Sequence, residues 1–231
     1  MYDWCIVAVL IGGGVGFDER VCEALQNDPR LASGFVTLAG VLEYAPASGD
    51  IIAFVSHSCV IRTVFRVGTG APVTHVATIV RNHDGVLCVL DADVPTGVRL
   101  TPVVGYLRCF LKTGGAVYVR QNRVPVTDRQ DHLLTKFAEA QIGKPYTPLG
   151  QLTYMPRRII RTVREADPAL LFTEWNWHCS KITGAAHQYA GLLAEEVNVG
   201  ALVPRHFMPP PQLIRPTCRW GKPRRYELLT R

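Results

Sequence analysis

Residues 74–93, THVATIVRNHDGVLCVLDAD, decide the fold of this 231-residue chain. Two apolar runs, at residues 75–81 and 86–91, flank the polar connection Asn-His-Asp-Gly at residues 82–85. Short runs rich in Val, Ile and Leu predict strands, and a glycine-containing connection of this length predicts a hairpin. The stretch therefore predicts two neighbouring antiparallel strands, with His75 opening the first and Asp91 ending the second.

Similar apolar runs on both sides of the hairpin predict a larger sheet, and helices follow it. Further strands are predicted at residues 50–55, 98–102 and 116–121. Thr127 and Gln130 have the spacing of a capping box, which begins a helix that Gly143 ends. Other helices are predicted at residues 18–27, 156–164 and 179–193. Because the strands come first and the helices after them, the sequence predicts an α+β fold with an antiparallel sheet packed on helices.

The net charge of +6 is concentrated at the C-terminus. From Arg215 onward, six Arg and Lys residues face one acid, Glu227, which leaves about +1 for the rest of the chain. Such a segment can contact anionic lipid or an acidic partner, or can be a solvated strap. Nucleic-acid binding is disfavoured, because no aromatic platform alternates with the basic residues on a predicted sheet.

The N-terminal residues 4–17, WCIVAVLIGGGVGF, form an uncharged run. The run is shorter than the roughly 20 residues of a spanning helix, so it predicts a buried strand or an interfacial membrane anchor. Phe17 stands where a dinucleotide-binding turn needs its third glycine, so no cofactor is predicted. The predicted organisation is an apolar segment and helix at residues 1–44, a catalytic domain at 45–214 and a basic tail at 215–231.

The seven cysteines are odd in number and include no CxxC pair. This pattern argues against a disulfide framework and a zinc ribbon, and it indicates a reducing, cytoplasmic compartment. Membrane association through residues 4–17 stays open as an addition to that location. Cys88 and Cys109 lie among apolar residues, which predicts that they are small core residues.

Cys179 and His75 have the setting of a nucleophile and its base. Cys179 opens a predicted helix, where unpaired backbone N–H groups and the helix dipole favour a thiolate. An imidazole on a strand can take the thiol proton and later return it to a leaving group. If His75 and Asp91 point to one face of the hairpin, the carboxylate fixes the tautomer of the imidazole. The alternative is a buried small cysteine and a structural histidine.

Five short motifs occur in a characteristic order along the chain: GDII (49–52), THVATIV (74–80), VLDAD (89–93), GKPY (143–146) and HCSKITGAA (178–186). This order resembles the circularly permuted papain-like cysteine hydrolases of the NlpC superfamily. The resemblance is greatest to the YiiX-like bacterial proteins and their poxvirus counterparts, and more distant to lecithin:retinol acyltransferase. It implies a permuted papain-like fold with a barrel-like sheet, and a thiol hydrolase or acyltransferase acting on an amide or ester bond of a lipid or peptide.

The resemblance also implies roles for individual residues. Cys179 matches the family's nucleophile, His75 its general base, and Asp91 stands where a glutamate usually orients the histidine. Asp91, one methylene shorter than that glutamate, is one departure from the family motifs, and two other positions also depart. Lys181 replaces the glutamate two residues after the cysteine, and Thr147 replaces the aspartate after the tyrosine of the GKPY motif.

Four further residues are predicted to contact substrate. Asp50 matches the GD motif, and Tyr146 matches the aromatic residue near the family's cleft. His178 is expected to line the cleft, while Trp177 is either an apolar wall of the cleft or a core residue. No metal is predicted, because His178 and Cys179 have no HxxxH or CxxC partner. A non-catalytic binding module of the same fold, using its basic surface, is the alternative function.

Overall fold

The structure is a computed structural model that describes residues 44–94, 96–112, 115–146, 177–195, 197–208 and 224–226. Several predictions made above lie outside these residues. They concern the N-terminal apolar run, the helices at residues 18–27 and 156–164, and Thr147.

One antiparallel sheet organises the described residues. Its strands are β1 (Ile51–Val55), β2 (His75–Arg81), β3 (Leu87–Asp93), β4 (Gly97–Pro102), β5 (Ala116–Arg120) and β6 (Arg224–Tyr226), in the order β4-β3-β2-β1-β5-β6. The five strands predicted from sequence are confirmed, with their ends shifted by no more than two residues. The sheet is open, with β4 and β6 at its edges among the described strands, whereas the resemblance implied a barrel-like sheet.

The predicted hairpin joins β2 to β3. Asn82 makes the turn: its side-chain Oδ1 accepts hydrogen bonds from the backbone N–H groups of Asp84 (3.1 Å) and Val86 (2.9 Å). Gly85 takes the left-handed conformation, with φ of 78°, which a residue with a Cβ adopts at a cost. The turn sets the register in which Thr78 lies opposite Leu90.

Four α-helices accompany the sheet: α1 (Cys59–Thr69), α2 (Val103–Lys112), α3 (Asp128–Gln141) and α4 (Cys179–Tyr189). The prediction of α3 and its capping box is confirmed, since the side chains of Thr127 and Gln130 each accept the other's backbone N–H. The prediction that α4 continues to residue 193 is wrong. Gly191 adopts a φ of 66°, and the N–H of Leu192 turns back to the carbonyl of His187 at 2.7 Å.

The prediction of one group of strands followed by one group of helices is also wrong, because α1 and α2 interrupt the strand order. The α+β class itself is confirmed. Two apolar clusters lie on opposite faces of the sheet, as the alternation of side chains along a strand requires. Ala77 and Ile79 pack beneath α2, while Val76 and Val80 pack beneath α3 and α4. The described core therefore has three layers, with the sheet in the middle.

The structure bears on the predicted C-terminal boundary, on the cysteines and on membrane-spanning helices. β6 comes from the predicted basic tail and pairs with β5, so the sheet continues past the boundary expected at residue 214. Cys88 and Cys109 are buried free thiols, as expected, and Cys59 is an exposed one. Across the ranges that the structure describes, no helix is both long and apolar enough to cross a bilayer.

Candidate active site

His75 and Asp91 form a buried pair on the α2 side of the sheet. The His75 Nε2 lies 2.5 Å from the Asp91 Oδ1. Every second residue of a strand points to the same face. His75 is two residues from Ala77 and Asp91 two from Val89, and both of these pack beneath α2, so His75 and Asp91 also project toward α2. Continuing the register of Thr78 with Leu90 makes Asp91 a diagonal neighbour of His75. Since Nε2 is occupied by the carboxylate, Nδ1 is the ring nitrogen that can serve another group.

Asp91 is itself held by two further side chains. Its Oδ2 accepts a hydrogen bond from the Tyr106 hydroxyl at 2.8 Å and lies 3.8 Å from the Arg99 Nη2. Burial alone favours the neutral acid, but His75 above all, with Arg99 and Tyr106, lowers the pKa of Asp91 below its ordinary 3.8. Asp91 is therefore a carboxylate with two hydrogen-bond partners, His75 and Tyr106, and a more distant cation, Arg99.

Cys179 is the first residue of α4, where the imidazole of His178 caps the helix. The His178 Nδ1 accepts the backbone N–H of Lys181 at 3.3 Å. Burial alone opposes ionisation of the thiol, yet the His75 imidazolium, with a smaller contribution from His178, lowers the pKa of Cys179 to about 5. Burial likewise disfavours the imidazolium, but Asp91 and then Cys179 raise the pKa of His75 well above 6.5. A thiolate and an imidazolium are thus paired near neutral pH.

Cys179 and His75 approach each other from opposite faces of the sheet. Cys179, on α4, belongs to the same apolar cluster as Val76 and Ala92 of the sheet. His75 projects to the other face, toward α2. His75 is the first residue of β2, so its imidazole lies at the end of the sheet, where it and the Cys179 thiol shift each other's pKa. The site is therefore assembled across the end of the sheet. The sulfur is enclosed there, because Cys179 is only 1% exposed.

Two more polar groups face this pair. Tyr146, which forms a parallel bridge with Trp177, is half-buried. Its burial and the charges of Cys179 and Asp93 raise the pKa of Tyr146 well above 10. Burial and the charge of Asp91 raise the pKa of Asp93 to about 6. Tyr146 and Asp93 therefore border the reactive pair, and Asp93 is the one acid of the site that titrates near neutral pH.

Two residues predicted to contact substrate are placed elsewhere. Asp50 is buried at the opposite end of β1 from the residue that pairs with His75. Its carboxyl accepts hydrogen bonds from the Tyr44 hydroxyl (2.7 Å) and from the backbone N–H of Asn122 (3.0 Å). Burial first of all raises the pKa of Asp50 to about 6. The residue thus fastens three segments at the start of the sheet.

Trp177 is a core residue and not a wall of the cleft, the two alternatives that the sequence left open. It is fully buried and packs edge-to-face on Phe137 of α3, with ring centroids 5.9 Å apart. The Nζ of Lys181 lies 5.4 Å from the centre of its ring. The lysine that departs from the family motif therefore packs against this tryptophan.

Sequence reasoning missed Tyr106, Arg99 and Asp93. Asp93 follows Asp91 by two residues, so the period of the strand already placed both on one face. Arg99 pairs with Asp91 across β3 and β4, a register that the sequence did not reveal. Tyr106 belongs to α2, which was not predicted. No group of three or more His, Cys, Asp or Glu side chains in the described ranges is arranged to hold a metal ion.

Three kinds of comparison relate the chain to known proteins: protein-family models, curated proteins and solved structures. No protein-family model matches the chain, and no curated protein matches it. Among solved structures, the chain is similar to the crystal structure of the metalloprotein YiiX from Escherichia coli O157:H7. The two share 20% sequence identity with a TM-score of 0.45, over 64% of this chain and 67% of that one. At this distance the similarity assigns neither a family nor an activity.

Proposed function

We propose that this chain is a cysteine hydrolase or acyltransferase that cleaves an amide or ester bond. One observation carries the proposal. The thiol of Cys179, at the start of α4, has a pKa of about 5 beside an imidazole whose other nitrogen is bonded to the buried carboxylate of Asp91. A depressed thiol pKa with an oriented base is the arrangement that nucleophilic catalysis by cysteine requires.

The proposed reaction has two halves. The Cys179 thiolate adds to the substrate carbonyl, and backbone N–H groups in the first turn of α4 receive the developing oxyanion. The intermediate then breaks the C–N or C–O bond, and the leaving group takes the proton of His75 Nδ1. Water or another acceptor next gives a proton to His75, attacks the acyl-enzyme and releases the thiolate. Asp91 keeps its bond to Nε2 throughout, which holds the imidazole in place.

Family and substrate are part of the same proposal. The order of the five motifs, with histidine before cysteine, supports a permuted papain-like fold of the NlpC superfamily. The basic C-terminal segment supports a lipid or membrane-proximal substrate, because positive charge favours an anionic surface. The proposed location is the cytoplasm or its membranes.

A binding module of the same fold, without catalysis, is the second candidate. The observation that favours it is the enclosure of the site, since Cys179 is 1% and His75 8% exposed. In that case the thiolate–imidazolium pair would hold α4 against the sheet, and the basic surface would bind the partner.

Alkylation with iodoacetamide, a small electrophile, tests whether Cys179 is activated, and turnover of a substrate then separates the two candidates. Peptide mapping by mass spectrometry would follow Cys179 and the exposed Cys59 in one sample, so that Cys59 serves as the internal reference. At pH 6 we expect His75→Ala to slow modification of Cys179 at least tenfold while Cys59 is unchanged. Equal rates at Cys179 in both proteins would refute an activated nucleophile. Release of acyl groups from simple thioesters or esters, lost in Cys179→Ala, would then establish turnover.

A further inference from the structure

The helix α1 packs on the body of the protein far less than α4 does. Among its eleven residues Thr69 alone is buried, whereas nine of the eleven residues of α4 are buried. Val60 is 55% and Val67 83% exposed, although both are aliphatic. An exposed apolar face on a helix commonly marks an interaction site.

The exposed Val60 and Val67 belong to one stripe with Val64, which is half-buried. Val60, Val64 and Val67 stand at positions i, i+4 and i+7, so they follow each other along one side of the helix. Arg62 and Arg66 lie away from this stripe. Residues 56–74, which include α1 and its connections, contain no Asp or Glu. The helix therefore has an apolar side, and its charged side chains are both arginines.

The structure fixes α1 beside the candidate active site. The connection that contains it leaves β1 and enters β2 at the end of the sheet where Phe54 pairs with His75. The backbone N–H of Thr74 bonds the Phe54 carbonyl at 2.9 Å, which closes the base of this connection. At the C-terminal end of α1, the Arg205 guanidinium donates to the carbonyl of Thr69 at 2.7 Å. Both ends of the connection are thus tied to the body of the protein.

We propose that α1 docks the protein on an anionic bilayer surface. The valine stripe would enter the boundary between headgroups and acyl chains, and Arg62 and Arg66, on the other side of the helix, would be attracted by the negative charge of the surface. Eleven residues span about 16 Å, a suitable length for a helix lying in the interface plane. Such a small face favours a membrane over a protein partner, because a stable protein interface needs roughly 800 Å² from each side.

Docking through α1 brings the His75 end of the sheet to the membrane. This consequence rests on the proposed function, since it presents Cys179 to a carbonyl group at the bilayer surface. The docking itself depends on the helix alone and is tested independently of catalysis.

Flotation of the full chain with vesicles tests the docking. The vesicles are phosphatidylcholine with 30% phosphatidylserine, and pure phosphatidylcholine serves as the neutral comparison. We expect binding to the anionic vesicles, and loss on the order of tenfold in the bound-to-free ratio for Val60→Asp/Val67→Asp. Arg62→Gln/Arg66→Gln should lose about fivefold for each arginine, as expected for a charge near an anionic surface.

The matched control is Val86→Asp/Val124→Asp, which changes two exposed aliphatic residues outside α1. This control should bind vesicles like the wild type, and circular dichroism should show that all variants are folded. Equal loss in the control, or full binding by the α1 variants, would overturn the proposal. Absence of binding between the wild-type chain and anionic vesicles would also overturn the proposal. The exposed face of α1 would then be interpreted as a site for a protein partner.

Catalysis and docking fail separately in this design. Cys179→Ala should float like the wild type, whereas Val60→Asp/Val67→Asp should keep the rapid alkylation of Cys179 in solution. Retained alkylation without flotation refutes the docking alone, and flotation without activated alkylation refutes the proposed function alone.

Discussion

The pKa of Cys179, about 5, sets the pH range in which this residue should react. A fall in pH through 5 protonates the thiolate, so the rate of alkylation should decline there and stay level at higher pH until His75 loses its proton. In His75→Gln the midpoint should move up toward the ordinary thiol value of 9.0, because the charge that lowers it is gone. Alkylation rates measured from pH 4 to 9.5, with Cys179 quantified by mass spectrometry, check this. A wild-type midpoint near 9 would contradict the ion pair.

Tyr106 acts on the sulfur through two other residues. Tyr106→Phe removes the hydrogen bond to the Asp91 Oδ2, so the pKa of Asp91 should rise, and the carboxyl that protonates at higher pH no longer stabilises the His75 imidazolium there. The midpoint of Cys179 alkylation should then shift upward, and the fold should lose about 1.5–3 kcal/mol, because the bond is made to a charged group. The control is Tyr118→Phe, a half-buried tyrosine on β5. A loss of stability without any shift of the midpoint would reduce Tyr106 to a structural residue.

At the scale of elements, Gly97 and Gly85 form a matched pair of left-handed glycines. Gly97 begins β4 where the backbone N–H of Val98 bonds the carbonyl of Lys144, and this contact places the loop that bears Tyr146. A Cβ on Gly97 would lie 2.5 Å from that carbonyl oxygen, whereas a Cβ on Gly85 would meet nothing within 4 Å. Gly85→Ala should cost about 1–2 kcal/mol for its φ alone.

Gly97→Ala should cost about 1–3 kcal/mol more than Gly85→Ala, because the backbone of Lys144 must also move. Urea denaturation of both variants measures the difference. Equal losses would show that the Lys144 loop yields freely, and the alkylation of Cys179 would then be expected to stay unchanged as well.

Local signals explain which elements the sequence revealed. The β2–β3 hairpin and the capping box of α3 depend on neighbouring residues, and both were predicted. The helix α1 was missed because six of its eleven residues are β-branched, a composition that favours strands. Its helical state is specified by its ends, Ser58 accepting the N–H of Ile61 and Gly70 adopting a φ of 77°.

The site shows the same division between local and distant information. The hairpin made the proximity of His75 and Asp91 predictable. The approach of Cys179, about a hundred residues later, was expected only from the order of the motifs. Tyr106 was missed with α2, which begins with adjacent valines and has no acidic residue in its first turn. Side chains that support a site from a distant element leave no local signature.

At the scale of the whole molecule, β6 covers the edge of the sheet. Val117 and Val119 of β5 pair with residues of β6, and without β6 the strand β5 would become an open edge. A chain ending at residue 214 should therefore unfold at lower denaturant concentration, by about 1 kcal/mol for each ladder hydrogen bond lost. It should also self-associate, because unpaired edges template further pairing.

A chain ending at residue 226 is the control for this truncation, since it keeps β6 and removes only the last five residues. Denaturation and light scattering of the two truncated chains provide the comparison. If both behave alike, the pairing of β6 contributes nothing to the stability of the sheet.

The delivery of thiol and imidazole from opposite faces makes chemical reactivity a property of the folded state. In an unfolded chain the Cys179 thiol has its ordinary pKa of 9.0 and is mostly protonated at neutral pH. Any opening that lifts α4 from the sheet removes Cys179 from His75 and returns the thiol toward that condition. Nascent and damaged chains would thus carry an ordinary thiol, mostly protonated at pH 6, and the fraction of Cys179 that is modified rapidly at that pH would report on the fraction of intact molecules.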